Sequence, residues 1–345
     1  MKPYKLLDEF KFLSSLGVSL VVLGHALIYL DGKQINDFAL PGILLFLRNM
    51  IYGFHLPLFV FVAGYLFRHT NNNVEKIDSY NFLSKKAKRL LVPYVIISSI
   101  AFVPKALLAN YAIRPIDLNF KDYAINLLFP FENTIIYFWY LPTLFLLFLL
   151  FVFIRNSYFA TDRVWVAASI TISCLLAYLY NPFSNNSLFN FSGAIDYAVY
   201  FCIGYFFCVY REKIDFINDN AKSVFVISLA CLIVLTALKF NGIFFALKLF
   251  KFIFAVTGII FSYSLAIICT SKKMNFLKFI EGYTYQIFIL SWFFISFSRI
   301  ICYQILGVGF YVAFPMMFFT GLLAPIFIAK LMKSYYPKYS YVIGG

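Results

Sequence analysis

Apolar segments of about twenty residues recur from one end of this chain to the other, and nothing else in it constrains the fold as strongly. A helix needs about 20 mostly apolar residues, rising about 1.5 Å each, to cross roughly 30 Å of hydrocarbon. Measured that way, the sequence predicts ten spans, at about 12–30, 44–67, 90–110, 135–154, 164–180, 194–210, 223–239, 251–269, 283–301 and 310–330. Apolar residues make up 62% of the 345 and charged residues 13%, against roughly 45–50% and 25% in a water-soluble domain. The expected class is therefore all-α: a polytopic integral membrane protein forming a single transmembrane domain over residues 1–345. No small-x-small cleavage site follows the first apolar run, so that run is expected to stay as a helix rather than be removed as a signal.

Charge sets the orientation. The net charge is +14, and most of the cations fall in the termini and in the connections 68–89, 155–163, 211–222 and 270–282. By the positive-inside rule these segments, and both termini, are expected on the cytoplasmic side. The basic excess is then an orientation signal directed at anionic lipid. The aromatics lie in lipid-depth runs and are not interleaved with the cations on a solvated face, so nucleic acid is not an expected partner. All six cysteines lie in or beside apolar segments, with no C-x-x-C pair and no adjacent histidine. They read as small buried hydrophobes, with neither a disulfide framework nor a metal site expected.

Against this background an ionisable group inside a span is costly, and it marks a cavity or a partner. His25 lies in the outer half of the first span and His55 near the middle of the second, so antiparallel packing would bring them to one cavity. A neutral imidazole can take a proton from a hydroxyl near neutral pH, which makes His25 a candidate general base. His55 reads equally well as a core histidine bonded to a backbone carbonyl, with Pro57 nearby. Pro57, Pro315 and Pro325 are expected inside helices, and Pro93 in a first helical turn. Charges near outer span ends, Asp31, Arg48, Glu132, Asp196 and Arg299, each read singly as a capping or interfacial charge, while together they would line a polar mouth suited to hydroxyl-rich, uncharged acceptors. Trp139 in Phe138-Trp139-Tyr140-Leu141-Pro142 reads as part of an interfacial aromatic belt or as a stacking wall or lid for a sugar. On the cytoplasmic side, Lys85-Lys86-Ala87-Lys88-Arg89 reads as the entrance of the third helix. Its cations and unpaired main-chain N–H groups would together form a phosphate site.

These segments resemble a known pattern. Val21-Val22-Leu23-Gly24-His25, the run from Tyr52 to Phe67, Arg89-Leu90-Leu91-Val92-Pro93-Tyr94, Phe138-Trp139-Tyr140-Leu141, Phe201-Cys202-Ile203-Gly204-Tyr205 and Gly282-Tyr283-Thr284-Tyr285-Gln286-Ile287-Phe288 are similar in sequence and order to the integral membrane acyltransferase 3 family, most of all its fucose 4-O-acetylase-like branch. Two positions depart from the pattern. Ser14 stands where the family usually has Arg or Lys, and Ser291-Trp292 where a histidine is common.

The resemblance implies about ten spans in a bacterial cytoplasmic (inner) membrane. It also implies transfer of an acyl group, usually acetyl, from cytoplasmic acyl-coenzyme A to a carbohydrate hydroxyl outside. Acetyl-coenzyme A would be a substrate and not a tightly bound cofactor. The acceptor would be a surface carbohydrate or a lipid-linked glycan, and the protein is compatible with a homo-oligomer. His25 matches the essential first-span histidine, with His55 as a second catalytic candidate. Lys86 and Arg89 match the family's Arg-x-x-Arg motif and, with Lys88 and Tyr94, would bind the coenzyme. The oxyanion donor is open among Tyr52, Trp139, His55 and a span-end N–H. A rival reading is a transporter or flippase moving the glycan or its lipid-linked precursor without acyl-coenzyme A.

Overall fold

Each predicted apolar segment folds as a helix, with boundaries set by caps and prolines more than by the apolar run itself. The computed structural model describes residues 4–28, 30–31, 34–35, 42–71, 76–111, 115–135, 137–157, 164–184, 186–211, 215–242, 247–274 and 276–337. In chain order the helices are α1 (Tyr4–Ala26), α2 (Gly42–Thr70), α3 (Ser79–Leu107), α4 (Phe120–Leu128), α5 (Tyr140–Ser157), α6 (Val164–Leu179), α7 (Phe191–Val209), α8 (Asp215–Asp219), α9 (Ala221–Phe240), α10 (Lys248–Ser271), α11 (Thr284–Arg299) and α12 (Phe310–Tyr335). Helix α11 continues into a π-helical stretch, Ile300–Ile305. Among the described residues, eight helices are long and apolar enough to cross a membrane, and the shorter α6 is also apolar. Between α1 and α2 a two-residue antiparallel ladder pairs Leu30 with Ile35 and Asp31 with Gln34. The protein is thus an all-α polytopic membrane protein.

Several boundaries differ from the apolar ruler, those of α1, α3 and α5 among them. Helix α1 ends at Ala26, short of the predicted residue 30. Helix α3 begins at Ser79, well before residue 90, because Asp78 caps it by accepting from the Asn81 N–H. That hydrogen bond holds the Asp78 carboxyl below its ordinary range. Pro93 consequently lies deep inside α3 and not in its first turn. A mid-helix proline has no N–H for the carbonyl four residues back, here that of Arg89, and the Tyr285 hydroxyl of α11 donates to that oxygen instead. Helix α5 starts at Tyr140, leaving 137–139 as a turn. Pro57, Pro315 and Pro325 lie inside α2 and α12, as expected.

Helix α2 forms the centre of the bundle and packs on α1, α7, α9 and α10. Its contact with α7 brings the two backbones together: a Cβ on Gly64 would sit 2.1 Å from the Phe201 carbonyl oxygen, and one on Gly204 2.0 Å from that of Phe61. Without water to expel, such small-residue contacts provide the close packing that holds membrane helices together. Against α10 the fit is reciprocal, with the Phe254 ring over Gly53 and the Phe54 ring over Gly258.

Contacts between helix ends sort into two groups. At one end Asn156 of α5 bonds Ile77 and Ser79, Tyr285 bonds Arg89, and Lys330 and Lys333 of α12 lie over the Tyr283 ring. At the other, Arg299 reaches the end of α1, Lys239 of α9 reaches Asn49, and the Tyr178 hydroxyl meets the Lys248 carbonyl. Successive long helices therefore alternate in direction, and Lys86, Lys88, Arg89, Lys330 and Lys333 share the first end.

Candidate functional site

The last carbonyls of a helix have no intrahelical partners, and at α1 three side chains take them. The Tyr52 hydroxyl donates to the Gly24 oxygen at 3.2 Å, Arg299 Nη2 to the His25 oxygen at 2.8 Å, and Arg48 Nη1 to the Leu27 oxygen at 3.2 Å. Cations are favoured there by the negative end of the helix dipole. Arg48 and Arg299, read from sequence singly as capping charges and together with their neighbours as an acceptor mouth, hold the turn that carries His25. The His25 ring is half-buried, with its centroid 4.8 Å from Tyr137 and 6.1 Å from Tyr52. Tyr137 in turn pairs its hydroxyl with Ser291 at 2.8 Å, the serine standing where the resemblance suggested a histidine.

His55 is buried, with Nδ1 2.8 Å from the Ile51 carbonyl one turn earlier. A carbonyl only accepts, so Nδ1 carries the proton and a neutral ring keeps Nε2 as an acceptor. This geometry matches the core-histidine reading. The Tyr52 ring lies 5.3 Å from His55, so one tyrosine touches both histidines.

Tyr52 also lines a cavity of about 350 Å³, together with Gly53, Pro57, Trp139, Asp196, Tyr197 and Tyr200, with Lys239 and Lys251 on the same wall. Its walls come from the ends of α5, α6, α7, α9 and α10 opposite the basic face. They extend down α2 as far as Pro57, which leaves the Gly53 carbonyl without its helical N–H. Trp139 stacks on Phe131 at 5.2 Å and meets Tyr197 at 5.5 Å. Asp196 accepts from Asn181 at 2.9 Å and lies 3.8 Å from the Lys248 ammonium. Glu132 is exposed, accepting from Asn186, and lies outside this wall. The side chain of Asp31 lies outside the described residues.

A buried polar network holds the connection that delivers Tyr137 and Trp139. Asn133 donates to Ser98 and to the Asn126 carbonyl, Asn126 accepts from Thr134, and Tyr94 donates to the Leu127 carbonyl at 2.8 Å. Tyr94, expected beside the coenzyme, therefore has its hydroxyl committed to this network. Lys88 and Arg89 are exposed, Arg89 lies 5.3 Å from the Tyr285 ring, and the Lys86 ammonium lies 4.2 Å from the Phe148 ring. Because α3 starts at Ser79, these cations stand within a formed helix. The unpaired main-chain N–H groups expected beside them are not there, and only side chains present charge to an anion.

Sequence reading missed Tyr137, Tyr197, Tyr200, Lys239 and Lys251. The lysines did carry a signal, being cations at span ends opposite the basic face. The tyrosines carried none, since 26 are spread along the chain.

Neither a curated protein nor a solved structure matches the chain. A protein-family model described as an acyltransferase domain matches residues 11–332, from the first helix with its histidine through nearly all of α12. That match covers most of the chain and agrees with the order of segments read from the sequence, and on this ground the chain belongs to the acyltransferase 3 family.

Proposed function

We propose that this acyltransferase moves an acyl group, most simply acetyl, from cytoplasmic acyl-coenzyme A to a carbohydrate hydroxyl on the far side of a bacterial inner membrane. One observation carries the reading: His25 is held on the last turn of α1 by Arg299, and the Tyr52 ring beside it also lines an aromatic cavity. Aromatic walls with a few polar groups suit a sugar ring, whose faces stack while its hydroxyls bond.

In the proposed reaction the His25 imidazole takes the proton of the acceptor hydroxyl as its oxygen attacks the thioester carbonyl. The tetrahedral oxyanion is met by a donor on the cavity wall, the Trp139 indole N–H. The carbon–sulfur bond then breaks, and the imidazolium returns its proton to the departing thiolate, giving an ester and free coenzyme A. On the basic face, Lys86, Lys88 and Arg89 serve as side-chain contacts for the coenzyme's phosphates.

The test is to incubate the full-length protein in nanodiscs with acetyl-coenzyme A, radiolabelled in the acetyl group, and an extract of the host's surface glycans. Base-labile label in glycan, with matching release of coenzyme A, is expected. Glycan transport into sealed proteoliposomes of the same protein that proceeds without consuming the thioester would instead support the transporter reading.

A further inference from the structure

Lysines cluster at the end of this bundle where membrane topology least favours them. Cations concentrate on the cytoplasmic side of membrane proteins, yet Lys239, Lys248 and Lys251 meet at the opposite end, at the close of α9 and the start of α10. Lys239 and Lys251 both line the cavity. The Lys239 ammonium is fixed there, 3.2 Å from the Asn49 carbonyl and 6.0 Å from the Phe254 ring centroid. Around these three ammonium groups the cavity wall supplies one carboxylate among the described residues, Asp196, which also serves Asn181 and Lys248. However the lysines are partnered, the wall keeps a positive excess.

That excess is costly in aromatic surroundings. Gathering like charges among Trp139, Tyr197, Tyr200 and Phe250 strengthens their repulsion and removes hydration. An uncharged sugar would offset neither cost, whereas an anionic guest would offset both. Among the described residues, Glu132, the other carboxylate expected at an outer mouth, is turned outward to Asn186 and adds no negative charge to the wall.

We infer that the cavity selects an acceptor glycan bearing an anionic group, a carboxylate or a phosphate, held at Lys239 and Lys251 while a neighbouring hydroxyl is presented toward His25. This rests on the acyl-transfer reading above for the role of the cavity, and it replaces the uncharged acceptor expected from sequence.

Direct binding tests it, with the full-length protein in nanodiscs and the fluorescence of cavity-wall Trp139 as reporter. The probes are methyl β-D-glucuronide for a carboxylate, α-D-glucose 1-phosphate for a phosphate, and methyl β-D-glucoside for neither. At least one acidic probe is expected to bind more than about tenfold tighter than the neutral one, and which one identifies the anion. Lys239→Gln combined with Lys251→Gln should remove that preference, whereas Lys251→Arg should keep it. Added sodium chloride should weaken the acidic probe alone in the wild-type protein, a measurement that needs no variant to fold. Acidic probes that bind no better than the glucoside, or a preference that survives salt and the double substitution, would overturn the inference. Because the readout is binding, a bound acid that is never acylated would tell against the acyl-transfer reading and leave the charge selection standing.

Discussion

In the proposed reaction His25 is placed by neighbours that do not themselves react. Its backbone oxygen is bonded by Arg299 and its ring is flanked by Tyr52 and Tyr137, so the imidazole is placed by groups from α2, α11 and the turn before α5. Replacing Arg299 by Gln removes the charge from the end of α1 and loosens that placement. The turnover number should fall about tenfold or more, as misplaced catalytic groups do, while KM for acyl-coenzyme A stays unchanged. Kinetics in which only the donor KM rose would instead put Arg299 in donor binding. His25 was legible in the sequence because an imidazole in an apolar span has few cheap explanations. Arg48 and Arg299 were legible only as span-end charges, since which carbonyl a guanidinium caps depends on three helices converging.

Helices were the most legible level, because a twenty-residue apolar run in lipid has little choice but to satisfy its own backbone. Their ends were less so. The Asp78 cap extends α3 into a stretch that reads as a polar loop, and this turns Lys86, Lys88 and Arg89 from an N-terminal phosphate nest into a cationic helix face. Arg89→Gln should therefore raise KM for acyl-coenzyme A at least about threefold with little change in turnover at saturation, measured by release of free coenzyme A; an unchanged KM would remove Arg89 from the donor site. Tyr285→Phe leaves the Arg89 carbonyl, already deprived of its partner by Pro93, without its donor. Because this hydrogen bond lies at an exposed position, a loss of about 0.5–1.5 kcal/mol is expected, read as a lower thermal midpoint in detergent. The α2–α7 contact is stricter. Gly204→Leu forces a side chain into the Phe61 carbonyl and should abolish recovery of folded protein by size-exclusion chromatography, whereas the same change at Gly309, with open space around it and an extended backbone, should be tolerated far better.

At the scale of the molecule, the alternating helices separate a basic end from an aromatic cavity whose walls include none of the basic-face residues. Sequence charge anticipated this polarity. It could not show that Lys239 and Lys251 share a wall, because they reach it from different helices. If the basic end is cytoplasmic, a cysteine at Lys76 should react with a membrane-impermeant thiol reagent only in inverted vesicles, and one at Asp117 only in right-side-out cells. The proposed reaction needs both ends at once. The most direct measurement supplies labelled acetyl-coenzyme A to the basic side of oriented proteoliposomes and glycan to the other, for wild-type protein and a folded His25→Gln variant. Esterified glycan on the far side with wild-type protein, and at least about a hundredfold less with the variant, is the predicted result; equal esterification by both proteins would contradict the account.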